Sequence, residues 1–215
     1  MKKMIKRNKI CFLIFLFSIL LAAAVFPFLE SRIPIHWNMA GEIDGYGSRL
    51  WIFTEPLMML FLTILLDVTR NIDPKRANYV KFEKNFDGIK AAVCLLLLLV
   101  QLITTAVCLG IDVQVQIVLP ILIGILFIYI GNMMPKFKHN YFVGIKTPWT
   151  LADPEIWFQT HRFSGKIWCA GGFFIILSAF LPSPFNLGVL LAAILLLCFV
   201  PIIYSYYIYR KRRES

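Results

Sequence analysis

The residues best equipped for chemistry gather in two polar intervals of an otherwise apolar chain. In the longer one, Gly131 to Trp168, the spacing of Trp157, His161, Ser164 and Trp168 puts four side chains on one helical face at steps of three and four. A serine three residues from a histidine raises nucleophilic catalysis, but no strand-to-helix elbow presents Ser164. A metal site built from His161 with Asp153 or Glu155 lacks the HExxH type of ligand spacing. His161, set between two tryptophans, is therefore read as a packed, hydrogen-bonded core histidine, and neither a metal nor a cofactor is expected. The shorter interval, Glu30 to Leu50, precedes Glu55, a carboxylate about one turn inside an apolar segment. Intramembrane acids face a bundle interior or a wet cavity and are functional candidates by default.

The elements that position these groups follow from hydropathy. The chain has 215 residues, of which 59% are hydrophobic and only 16% charged. Soluble domains carry about 25% charged residues, so the composition is that of an integral membrane protein. Six apolar segments stand out, near 10–29, 51–68, 89–109, 115–133, 166–181 and 187–207. Each approaches the roughly 17 to 25 residues a helix needs to cross a bilayer, and the fifth is the shortest. Only helices satisfy their own backbone in lipid at such lengths. The first run is longer than a secretory h-region, and bulky residues follow Ala22-Ala23-Ala24, so it is read as an uncleaved span. All five cysteines fall in apolar segments without CxxC spacing and read as small hydrophobes.

Charge sets the orientation. Of the 22 lysines and arginines, all but Arg32 and Arg49 fall on the side that carries the N terminus, which the positive-inside rule assigns to the cytoplasm. The same asymmetry accounts for the net charge of +10 without nucleic acid as a partner. It puts His36 outside and His139 and His161 inside, so the three histidines cannot share a site. The expectation is an all-α membrane protein with six transmembrane helices and both termini cytoplasmic. It divides into a helical hairpin with an extracellular loop (1–68), a basic cytoplasmic connector (69–90) and a four-helix region (91–215).

Local signals refine this plan. In the outer loop, alternating Ile33, Ile35 and Trp37 suit a short extended piece, with turns at Gly41, Asp44-Gly45 and Gly47. Asp67 is expected at the headgroups. Asp73-Pro74 reads as a helix start, and Tyr79, Phe82 and Phe86 suggest a short amphipathic helix lying on anionic lipids. The third and fourth segments, joined around Asp112, form a tight hairpin in which Gln101, Thr104, Thr105 and Gln116 can bond across helices. The fourth helix should end at Pro135, and Asp153-Pro154 should start another. Gly165, Gly171 and Gly172 would let that helix approach a neighbour closely.

Two stretches resemble a known family. Ile33 to Gly47, with its Pro-x-His-Trp-Asn and Asp-Gly-Tyr pattern, is similar to the short N-terminal domain of unknown function found in the SdpI family of bacterial immunity proteins. Gly131 to Arg162, with Gly-Asn-Met-Met-Pro-Lys, Asn-Tyr-Phe-Val-Gly-Ile-Lys-Thr-Pro-Trp-Thr and Thr-His-Arg, resembles that family's second signature. The resemblance implies a multi-pass protein of the bacterial plasma membrane that protects its cell from a secreted hydrophobic peptide toxin. In some members it also implies signalling, in which a cytoplasmic repressor of the ArsR type is held at the membrane. The toxin-facing candidates are then His36, Trp37, Asn38, Asp44 and Tyr46, joined by Glu55 on its position alone. The inner motif, structural or signalling, comprises Asn132, Pro135, Lys136, Asn140, Tyr141, Gly144, Lys146, Thr147, Pro148, Trp149, Trp157, Thr160, His161 and Arg162. A non-enzymatic role leads. An intramembrane metal-dependent hydrolase and a small peptide exporter are the alternatives, and the exporter lacks a clear inverted repeat, although a homodimer would give a twelve-helix unit.

Overall fold

The computed structural model describes residue 4 and residues 7–214; of the basic cluster at the start, Lys2, Lys3 and Lys6 lie outside the described residues. Helices α1 (Lys9–Val25), α2 (Thr54–Ile72), α3 (Glu83–Cys108), α4 (Val115–Met133), α5 (Pro148–Ala152), α6 (Pro154–Ser178) and α7 (Phe185–Glu214) alternate with short 3-10 turns. Strands β1 (Arg32–Trp37) and β2 (Ile43–Ser48) form an antiparallel hairpin between α1 and α2. Five helical stretches among the described residues are long and apolar enough to cross a membrane: Lys9–Phe28, Arg49–Ile72, Arg76–Cys108, Val115–Lys136 and Phe185–Glu214. The remaining expected segment, 166–181, forms most of the second half of α6, and α6 is not one of the five. Its polar first turns and its glycines dilute its apolar character.

Contacts divide the chain into two compact units, residues 1–67 with 90–122 and residues 68–89 with 123–215. In the first, Ala22, Leu29, Ile33 and Ile52 make one buried cluster and Cys11, Met59 and Cys94 another. Gln101, fully buried on α3, donates to the carbonyls of Ser18 and Ile52 and accepts from the Ser18 hydroxyl, which ties three elements by one side chain. The turn after α3 is a Schellman motif. Gly110 takes φ +78, with bonds from its own N–H to the Val107 carbonyl and from the Ile111 N–H to the Ala106 carbonyl.

Asp67 does not sit at a headgroup surface. It is 1% exposed and pairs with Arg7 and, at 3.3 Å, with Lys90, whose ammonium also donates to Asn8. An aspartate flanked by two cations that come from other elements is drawn inward, because burial is tolerable only when the charges are matched.

In the second unit α4 and α6 pack through glycine at both ends of their contact. A Cβ on Gly172 would stand 2.6 Å from the Gly124 carbonyl oxygen, and one on Gly165 would stand 2.6 Å from that of Gly131. Gly124 and Gly131 on one helix and Gly165 and Gly172 on the other are each two helical turns apart, so antiparallel backbones meet twice. Gly171 gives the same freedom toward α7, where a Cβ would lie 2.6 Å from the Leu197 side chain. The connector is also corrected. Tyr79, Phe82 and Phe86 do not lie on a lipid surface; they are at most 2% exposed and pack edge-on and tilted around one another and against Phe137. Asp73 caps no helix in the expected way. The 3-10 turn Arg76–Phe82 starts after Lys75, and the Asp73 carboxylate folds back on the Lys75 N–H at 2.7 Å.

Three substitutions test this packing and the buried pairing. Gly165→Val should lower stability in detergent by upward of about 2 kcal/mol, since backbone at the contact cannot yield. Gly188→Ala, whose Cβ would meet nothing within 4 Å, should be neutral or mildly stabilising. Asp67→Ala should cost about 3 to 5 kcal/mol by stranding buried cations. Reversible SDS unfolding of the purified protein measures each.

Candidate functional site

The hairpin and the start of α2 bring together most of the outer candidates. Asn38 builds the turn: its Oδ1 accepts from the N–H groups of Ala40 and Glu42 at 2.9 and 3.0 Å, and its amide donates to the Glu42 carboxylate at 2.9 Å. Gly41 completes it at φ +83, where any side chain would also strike Gln116. The pairing slips at two places along β1, the first between Pro34 and His36, which leaves Ile35 as the extra residue of a bulge. Across the strands His36 Nδ1 meets Asp44 Oδ1 at 2.5 Å, with both side chains exposed. Tyr46 is exposed, and its carbonyl accepts from Arg32 at 3.2 Å.

Trp37 turns to the other side. With Ile33, Pro34, Ile35, Trp51, Thr54, Val100 and Thr104 it lines a cavity of about 220 Å³ that also contains Glu55. One Glu55 oxygen, Oε2, is buried and has no hydrogen-bond partner among the described residues. The six outer candidates thus separate into an exposed His36–Asp44 pair, exposed Tyr46, a turn residue in Asn38, and a Trp37–Glu55 cavity.

The second motif is a segment of irregular backbone held by side chains. The 3-10 turn Met134–Lys136 ends the run of α4 at Pro135, as expected. From there Asn140, fully buried, accepts from the N–H groups of Phe142 and Val143 at 2.9 and 2.7 Å and donates to the carbonyls of Lys138 and Val143. Asp73 Oδ2 accepts from the Tyr141 N–H at 2.9 Å and from the Tyr79 hydroxyl at 3.1 Å. Thr147 and Thr150 form a reciprocal capping box at α5, and the Thr147 hydroxyl reaches Ser205 of α7 at 3.1 Å. Pro148 occupies the first position of α5, and Trp149 packs against Tyr206 and Tyr209. Asp153 caps α6 through the N–H groups of Glu155 and Ile156, as the sequence suggested.

On α6, Trp157 donates its indole N–H to the Phe137 carbonyl at 2.9 Å and stacks on His161 with centroids 4.0 Å apart. His161 Nδ1 donates to the Trp157 carbonyl at 2.8 Å, and Nε2 accepts from the Ile145 N–H at 3.0 Å. Both nitrogens of a neutral ring are therefore committed, leaving no lone pair for a substrate proton or a metal. Gly144, at φ +121, lies so close that a Cβ would collide with Nε2. Burial drives the His161 pKa down to about 4; the Trp157 carbonyl opposes this and the His139 ring adds to it. His139 is lowered too, by burial and then by the Lys75 ammonium, which bonds its Nδ1 at 2.7 Å.

The rest of the motif is dispersed. The Thr160 hydroxyl is buried without a partner among the described residues, as is that of Ser164. Asn132 and Arg162 are exposed, and with Pro135 they line a cleft between α4 and α6. Lys136 and Lys146 are exposed. Among the described residues no three histidine, cysteine or acidic side chains group as metal ligands do. The sequence reading gave Asp73 and Tyr79 other roles, a helix start and a lipid-lying face, whereas both are central here. The available signal was an acid beside a proline at the end of an apolar helix, followed six residues later by a tyrosine.

Apolar helices of spanning length, a small polar hairpin between the first two, and an irregular polar loop held by capping side chains define a multi-pass membrane protein. Residues 136–205 match the SdpI/YfhL protein family, and residues 13–60 match a domain of unknown function, DUF1648. Over 212 residues, 98% of this chain and 99% of the relative, it is 27% identical to Immunity protein SdpI of Bacillus subtilis (strain 168). The chain is thus similar to the SdpI/YfhL family in its second motif and to an immunity protein along nearly its whole length. No solved structure matches it significantly.

Protonation provides a check on the motif. Unfolded, His161 titrates near 6.5; folded, near 4. As pH falls the unfolded chain binds the proton first, so stability is full above about pH 6.5 and is lost between there and about pH 4. The loss from this residue should reach about 2 kcal/mol at pH 5. SDS unfolding at pH 7.5 and 5 measures it, and His161→Gln should show a flatter pH dependence.

Proposed function

We propose that this chain is an immunity protein of the bacterial plasma membrane that protects its cell from a secreted peptide toxin. One observation carries the reading: the end-to-end likeness to a protein named for immunity, which includes both the hairpin and the second motif. The committed state of His161 supports a binding role over hydrolysis.

In its finer form the reading has six spans, the sixth supplied by the apolar second half of α6, with both termini in the cytoplasm. The lysine and arginine distribution supports that orientation, because only Arg32 and Arg49 accompany the hairpin. The hairpin then meets the peptide outside, through His36, Trp37, Asp44, Tyr46 and Glu55. The second motif forms a floor on the inner side, where its exposed Lys136, Lys146 and Arg162 face anionic lipid headgroups or an ArsR-type repressor that the protein holds at the membrane.

Expression in a peptide-sensitive Gram-positive bacterium tests the core of this. Cells carrying the protein should survive a challenge with secreted toxic peptide that kills cells with the empty vector. Equal killing, with the protein demonstrably in the membrane, would count against immunity to that peptide.

A further inference from the structure

The cavity beneath the hairpin is incomplete as it stands. Buried carboxylate oxygens are ordinarily paired, because removing such a group from water without a partner costs several kcal/mol. Glu55 Oε2 is buried and receives no donor among the described residues. The surrounding groups do not supply one. The Thr104 hydroxyl is committed to the Val100 carbonyl at 3.1 Å. The two basic residues of this region point elsewhere: Arg32 donates to the Tyr46 carbonyl, and the Arg49 guanidinium lies 4.7 Å from the centre of the Phe26 ring. What remains around the carboxylate is Thr54, for which no bond to Glu55 is seen, and a mostly apolar wall, chiefly Ile33, Ile35 and Val100, with the Trp37 and Trp51 rings.

We propose that this cavity is a binding site for a primary ammonium carried on an alkyl stem, with Glu55 as its counter-ion. Each part of the lining matches one part of such a ligand. The carboxylate balances the charge, the tryptophan faces favour a cation, and the aliphatic wall covers methylenes. At about 220 Å³ the space holds one side chain and excludes a peptide strand or helix; cavities for whole drug-sized ligands run from about 300 Å³ upward. On the immunity reading, the natural carrier is a lysine of the secreted peptide, inserted under the hairpin while the rest of the peptide lies against the strands. A peptide's N-terminal amine offers the same charge without the stem.

The full chain in nanodiscs, with empty nanodiscs as reference, allows the test. Saturation-transfer NMR should detect n-butylammonium, with weaker binding of alaninamide, which mimics a peptide N terminus. 1-Pentanol, of similar size and uncharged, should compete at least tenfold less well. Glu55→Gln should weaken n-butylammonium at least tenfold. Val100→Phe, which fills the cavity and leaves Glu55 in place, should abolish binding, and it keeps the question decidable if the first variant folds poorly. Alaninamide binding as well as n-butylammonium would overturn the lysine-like stem. Equal binding of pentanol, or unchanged binding to both variants, would overturn the site. If n-butylammonium binds as described but the protein confers no protection in cells, the immunity reading fails and the ammonium site stands.

Discussion

Irregular backbone sealed from water must have its amide groups answered by something other than a helix ladder. Phe137 to Thr147 meets that condition in part: it carries no regular element, and although Lys138, Tyr141 and Lys146 reach the surface, His139, Asn140 and Thr147 are buried. Its amides find side chains instead. Phe142 and Val143 bond Asn140, Tyr141 bonds Asp73, Ile145 bonds His161 and Thr147 bonds Thr150. Each residue type suits its task. A short amide can serve two N–H groups at once, an imidazole can accept on one nitrogen while anchored by the other, and paired threonines can cap each other. The aromatic side chains around them, Trp157, Tyr79, Phe82 and Phe137, exclude the water that would otherwise do the same work.

That accounting explains why parts of the chain were readable in advance. Pro135 and Asp153-Pro154 mark helix ends by local rules, and local rules sufficed. Gly165 and Gly172 announced a close helix approach, although the partner glycines on α4 had to be seen to show that the contact is made twice. Asp67, Asp73 and Tyr79 were misplaced for the opposite reason. Their partners lie far along the chain: Arg7 is 60 residues from Asp67, and Tyr141 is 68 from Asp73. Near the end of an apolar run, a charged residue looks the same whether it ends at headgroups or in a buried pair. The tertiary partner decides, and a single sequence does not display it.

The span count shows the same boundary between local and tertiary information. Here hydropathy marks only 166–181 as apolar, while the helix start at Asp153-Pro154 carries the motif into that segment; in the structure α6 accordingly runs unbroken from Pro154 to Ser178. Its first half belongs to the motif and its second half to the apolar bundle, so one helix carries both roles. Trp157 and His161 are consequently placed by a rigid element whose other end is fixed by Gly172 against α4. A motif residue on α6 is positioned by packing three turns away as much as by its immediate hydrogen bonds.

The contrast between His161 and Glu55 shows where ligand chemistry belongs in this protein. By residue type the histidine is the more reactive group, and it occupies the longer motif. Its hydrogen-bonding capacity is nevertheless used up within the fold, so it can take a new partner only by breaking an old one. Glu55 is the reverse: a side chain in a cavity, with an oxygen that the fold buries and leaves unanswered. An oxygen in that state is open to a donor that is not part of the described chain, as the proposed ammonium would be. The feature that distinguishes a binding group from a structural one here is therefore its unfilled hydrogen-bonding capacity, which neither its identity nor its place in a motif reveals.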